Sequence, residues 1–197
     1  MNLIKMNFER LRSLRVYLIG STWIGKSSIL EKYIFNTIRD EHYVDYTRIN
    51  YKYRKDFHEH DISYMYNLYQ IFQPSHSNFI QCCYDNVLLF YNITHRSEFE
   101  DIQEIAKKLE EVKKNNEKKP LVYLVGNISK KKKKREVSED EAIDFCNKHN
   151  YKYFECSALT GHNIHEIFGY IARDIIEKDL NSYSNNKLLK KKKCIIF

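Results

Sequence analysis

Gly20-Ser21-Thr22-Trp23-Ile24-Gly25-Lys26-Ser27 is a complete Gly-x-x-x-x-Gly-Lys-Ser/Thr pattern, set between an apolar run at 14–19 and a helix-like stretch at 26–35. The spacing suits a loop that wraps a phosphate. The first glycine releases the chain from a strand, the second turns it into a helix, and the amides between them face the anion. Lys26 is then placed to reach the β- and γ-phosphates of a nucleotide, and the Ser27 hydroxyl to ligate Mg²⁺. Ser28 follows in the first turn. A chance glycine-rich turn would lack the strand before and the helix after. Trp23 stands where a small residue is usual, over the ligand or in solvent.

Short apolar runs alternate with longer amphipathic ones, which predicts an α/β chain with strands linked by crossover helices. Strands are expected at 14–19, 47–53, 62–68, 87–91, 121–125 and 153–156. Helices are expected at 26–35, 99–114, 139–149 and 164–177, with a helical turn at 79–84. Ser97 with Glu100 and Ser138 with Glu141 have capping-box spacing at two helix starts. The charged segment RKDFHEHD leaves no room for a helix between the second and third strands, so these should form an antiparallel hairpin on an otherwise parallel sheet. The expected organisation is an extension at 1–13, one domain at 14–178 and a flexible polybasic tail at 179–197.

A chain of 197 residues with 43% hydrophobic content can build one sizeable core. The formal charge of +7 suits an anionic partner, but abundant Lys, Asn and Tyr together also fit an A+T-biased coding sequence. Five cysteines show no metal-ligand spacing, and an odd count argues against a secreted disulfide framework, which points to reducing cytosol. No apolar run approaches the ~18 residues of a membrane span. The first residues carry neither a signal-peptide core nor Gly at position 2.

The order of these segments resembles the Ras superfamily of small GTPases, nearest the Rab branch. FYNITHRSEFEDI resembles the YDIT…SF segment of that family, PLVYLVGN its fifth strand, and ECSALTGHNIHEIF its ETSAKTGxNVEEAF segment. The resemblance covers roughly 14–177 and implies a small-GTPase fold, a six-stranded, mostly parallel sheet with one antiparallel hairpin strand and helices on both faces. It implies GTP or GDP with Mg²⁺ as ligands. Guanine contacts fall on Asn127 and on Ser157, Ala158 and Leu159; a switch threonine for Mg²⁺ falls on Thr47.

Two family motifs are altered. Where the resemblance implies Asn-Lys-x-Asp, the chain has Asn127-Ile128-Ser129-Lys130. A lysine has donors only and cannot accept from the guanine N–H groups as the aspartate does. Such bonds contribute about 1.5–3 kcal/mol each, so base selectivity should suffer most. Counting back from Tyr91 puts the Asp-x-x-Gly-Gln motif on Tyr66-Asn67-Leu68-Tyr69-Gln70, with Gln70 at the place of the catalytic, water-orienting residue. Gln70 also reads as an ordinary exposed loop residue. With Thr22 at a position that crowds the attacking water, these departures imply weak or very slow hydrolysis.

The chain ends Lys190-Lys191-Lys192-Lys193-Cys194-Ile195-Ile196-Phe197, a C-a-a-X box ending in Phe, which favours prenylation of Cys194 by a geranylgeranyl group. One lipid holds a protein only marginally, and the adjacent lysines supply a second attraction to anionic lipid. The expected location is the cytoplasmic face of a membrane, with a cytosolic pool. A second basic run, Lys130 to Lys134 with Arg135, reads best as a solvated loop. Tyr51, Tyr53, Tyr64, Tyr66 and Tyr69 alternate as hairpin packing residues rather than as a stacking platform for nucleic acid, and His58, His60, His162 and His165 lack further ligands for a metal. Two functions remain: a membrane-anchored GTP-binding switch in vesicle traffic or signalling, and a pseudo-GTPase scaffold that does not cycle nucleotide. An RNA-binding module would leave the ordered family segments unexplained.

Overall fold

A computed structural model describes residues 12–22, 24–36, 57–59, 62–71, 85–114, 120–128 and 134–193. The strands are β1 (Arg12–Ile19), β2 (Phe57–Glu59), β3 (Ile62–Ile71), β4 (Asn86–Asn92), β5 (Val122–Asn127) and β6 (Lys152–Cys156). The helices are α1 (Lys26–Phe35), α2 (Arg96–Lys114), α3 (Glu139–His149) and α4 (Ile164–Lys193). The sheet order is β2-β3-β1-β4-β5-β6, parallel throughout except for β2, which pairs antiparallel with β3.

The central strand β1 shows how a two-sided sheet uses period-two alternation. Val16 and Leu18 enter one core with Ile29 and Leu30 of α1 and with Phe168 and Ile171 of α4. Tyr17 and Ile19 enter the other with Phe99 and Ile102 of α2 and with Ala142 and Cys146 of α3. β1 thus lies between two helical layers, and its carboxyl end delivers the chain into the Gly20–Ser27 loop.

Several expected boundaries move. The sheet begins at Arg12 rather than 14. The strand paired with β3 is 57–59, inside the segment expected to be the turn, and the expected strand at 47–53 lies outside the described residues, as does the turn at 79–84. β3 continues past 68 to Ile71, pairing Gln70 with Leu18 and Ile71 with Ile19. α2 starts at Arg96, whose amide N donates to Glu136 Oε2 at 2.8 Å; Glu98, in the first turn, accepts on Oε2 from Asn92 N at the end of β4 at 2.9 Å and ties the helix start to that strand. α3 uses Ser138 as its cap, with Oγ accepting from Glu141 N at 3.1 Å. The return arm of that box goes elsewhere: Glu141 Oε2 accepts from Arg96 Nη2 at 2.8 Å. α4 continues past 177 to Lys193, so helix occupies most of the expected flexible tail. No Gly or Pro follows Gly169 up to Lys193, and Leu180 still packs against the core.

Candidate nucleotide-binding site

The loop lies where β1 has β3 on one side and β4 on the other, at the carboxyl ends of the strands, the usual ligand position in an open α/β sheet. Gly20 crosses the end of β4 so closely that a Cβ there would lie 2.5 Å from the Phe90 carbonyl oxygen and 2.9 Å from Ile24 Cδ1. Gly25 has φ +92°, and a Cβ on it would lie 2.8 Å from Asn127 Nδ2. Both positions therefore require glycine, for space at the first and for backbone conformation as well at the second. Gly25 is also the N-cap of α1, which has no side-chain cap and no acidic residue in its first turn.

Lys26 folds back under the loop. Its ammonium donates to the Gly20 and Ser21 carbonyl oxygens, each at 2.7 Å, and only 2% of the residue is exposed. Burial pushes its pKa down to about 8, while the charge of Glu98 pulls it up. Asn127, at the end of β5, donates from Nδ2 to the Ile24 carbonyl oxygen at 2.5 Å and so ties the loop to the neighbouring strand. Asn127 Oδ1 and Ser21 Oγ are buried without a hydrogen-bond partner among the described residues.

The residues expected to contact guanine lie where β5 and β6 finish side by side, with Asn127 opposite Cys156. Ser157 is buried and its Oγ donates to the Ile128 carbonyl oxygen at 2.9 Å; Ala158 is buried, and Leu159 is 65% exposed. Sequence reasoning missed the groups that shape this turn. Asn163, at φ +58°, donates from Nδ2 to the Glu155 carbonyl oxygen at 2.8 Å. Arg135 clasps Glu155 with two bonds, Nη1 to Oε1 at 2.7 Å and Nη2 to Oε2 at 2.8 Å. Burial alone would raise the Glu155 pKa, but the Arg135 bonds and the Tyr153 hydroxyl hold it below the ordinary carboxylate value. The pair pins the chain after the basic run against β6; an isolated Arg in a lysine-rich stretch was the available signal.

The structure thus brings Gly20, Ser21, Thr22, Ile24, Gly25, Lys26, Ser27 and Ser28 to one end of the sheet with Asn127, Ser157, Ala158 and Leu159. Trp23, Thr47 and Cys194 lie outside the described residues. Gln70 is a β3 residue, in register with Leu18, rather than a loop residue beyond the strand. An uncapped helix start, a buried ammonium and the orphaned Ser21 hydroxyl fit a phosphate-bearing ligand. For the metal, the expected ligand Ser27 lies in the first turn of α1; no cluster of three or more His, Cys, Asp or Glu suited to a metal occurs among the described residues.

The Ras family model matches residues 15–177. The chain belongs to the Ras family. Ras-like protein rasU of Dictyostelium discoideum is 28% identical over 196 residues, 96% of this chain and 88% of that protein. Ras-related protein RABC1 of Arabidopsis thaliana is 29% identical over 171 residues, 83% and 77% of the two chains. Ras-related protein Rab-13 of Canis lupus familiaris is 34% identical over 100 residues, 51% of this chain and 48% of its own. This Ras-family protein is accordingly a Ras/Rab-like small GTPase, and guanine-nucleotide binding comes with membership.

Proposed function

We propose that this Ras-family protein is a lipid-anchored guanine-nucleotide switch on the cytoplasmic face of a membrane, acting in vesicle traffic or signalling, with very slow GTP hydrolysis. The observation that carries the nucleotide part is the buried Lys26 ammonium beneath an uncapped α1 N-terminus. The amides from Ser21 to Lys26 hold phosphate oxygens, Lys26 neutralises their charge, and Asn127 keeps the loop in shape while standing at the base end. Mg²⁺, held through Ser27 and in this reading Thr47, supplies further charge neutralisation when bound.

Slow hydrolysis follows from the residues that would position water. Gln70 is held in a strand and Thr22 is exposed at the loop; Lys130, in the aspartate position of the base motif, bears on guanine selectivity rather than on hydrolysis. Single-turnover kcat is expected below about 4 × 10⁻⁴ s⁻¹, the intrinsic value for Ras. The same departures favour a second reading, a membrane scaffold that does not cycle nucleotide.

Chromatography of nucleotide released on denaturing the purified protein separates the two. Stoichiometric GDP or GTP that disappears in Lys26→Ala supports the switch; its absence from the unaltered protein supports the scaffold. Anchoring rests on the Cys194 box and its preceding lysines. Among the described residues no helix is long and apolar enough to cross a membrane. A Cys194→Ser variant that still pellets with membranes like the unaltered chain would defeat the lipid anchor.

A further inference from the structure

A cleft of about 420 Å³ opens at the amino ends of β5 and β6, around Val122 and Lys152. The phosphate loop and Asn127 lie at the carboxyl ends, so β5 alone, with five rises of about 3.3 Å, separates the two places by about 16 Å. The carboxyl ends of α2 and α3 and the middle of α4 form the walls.

The cleft is positive, and Glu110, Lys113, Lys152 and Asp174 are held in place by hydrogen bonds. Lys113, Lys114, Lys152 and Lys178 line it against two carboxylates, Glu110 and Asp174. His149, also in the lining, is kept below its ordinary pKa by burial, against the pull of the Glu110 charge. The two helix ends contribute about half a negative charge each, which leaves an excess of ammonium. Glu110 accepts from the Tyr151 hydroxyl at 2.7 Å and from Lys113 Nζ at 3.0 Å. Asp174 accepts from the Tyr123 hydroxyl at 2.8 Å and from Lys152 Nζ at 3.2 Å. Tyr123 and Tyr151 are buried, so both carboxylates are oriented from within the core.

We propose that this cleft binds a phosphorylated polyol of the inositol-phosphate kind, as a lipid headgroup or free in solution. Ammonium groups only donate and therefore match phosphate oxygens; carboxylates only accept and match hydroxyls. A ligand carrying both uses both sets, and the volume falls within the ~300–1,000 Å³ usual for small-molecule sites. α4 leaves the cleft at Lys178 and runs fifteen residues further to Lys193, about 22 Å, toward the lysines and Cys194. The cleft therefore lies at the end of the domain that carries the proposed anchor. The lipid source rests on that anchoring reading; the soluble source does not.

The full chain carrying Cys194→Ser, and therefore unlipidated, provides the test. Inositol trisphosphate is titrated calorimetrically, and vesicle binding is compared between phosphatidylcholine doped with a phosphoinositide and the same lipid doped with phosphatidylserine at equal charge. Lys114→Glu with Lys178→Glu, both at exposed positions, should weaken binding at least tenfold while leaving nucleotide content unchanged. Preference for phosphoinositide over phosphatidylserine assigns the lipid headgroup; binding of the soluble probe alone assigns a free polyol phosphate. Unchanged affinity in the double variant, or neither soluble binding nor a vesicle preference, overturns the proposal. Failure of the lipid anchor would show separately, as a Cys194→Ser chain that partitions to membranes like the unaltered one.

Discussion

Lys26 has its ammonium buried against two carbonyl oxygens and its pKa lowered to about 8. A bound phosphate favours the charged form, so binding above that value draws in a proton. Nucleotide affinity should therefore fall as pH rises from about 8 to 9, by at most tenfold per unit. Calorimetry in buffers of different ionisation enthalpy should show proton uptake at about pH 9 and little at about pH 7. The stability linkage has the opposite sense without ligand. The folded pKa lies below the unfolded one, the unfolded chain holds the extra proton between about 8 and 10.5, and this group's contribution to stability rises with pH there. Asn127→Ala removes the donor to the buried Ile24 carbonyl and should cost about 1–3 kcal/mol in urea unfolding, with weaker nucleotide retention. Local spacing made the glycines and Lys26 legible. It could not show Asn127 bracing the loop, because that contact joins residues 103 apart.

At the level of elements, α2 and α3 began from the same capping signature and ended differently. Ser138 caps α3 through the amide of Glu141, and Ser138→Ala should lower stability by about 1 kcal/mol in denaturant unfolding. Ser97 lies one residue inside α2, whose first amide donates to Glu136. A carboxylate forty positions away displaced a local hydroxyl, since an ionised acceptor makes the stronger hydrogen bond. The Arg96–Glu141 pair then couples the two helix starts. β3 and α4 both outran their expected ends. Pairing with β1 carries β3 to Ile71, and the absence of Gly or Pro after Gly169 lets α4 continue to Lys193.

Across the whole molecule, α4 joins the site to the core. Phe168 is 1% exposed and stacks on Tyr33 of α1 at 4.3 Å between ring centroids, so the helix after the Ser157–Leu159 turn rests on the helix after the glycine-rich loop. Phe168→Ala should cost about 3–5 kcal/mol. A thermal scan should show a midpoint lower by about 10 °C. The nucleotide end and the basic cleft lie at opposite ends of the same strands, so a substitution in the cleft is expected to leave nucleotide content unchanged.

By itself the amino-acid sequence determined the glycine-rich loop between β1 and α1, the alternation of strands and helices, the antiparallel sense of the hairpin though not which residues form its first strand, and the α3 cap. Each depends on side chains within a few positions of one another, where stereochemistry and periodicity act directly. Only the tertiary structure decided the strand order, the placement of Gln70 within β3, the Asn127 brace, the Arg135–Glu155 clasp and the cleft between α2, α3 and α4. Those features join groups far apart along the chain, and their geometry exists only once both faces of the sheet have been covered.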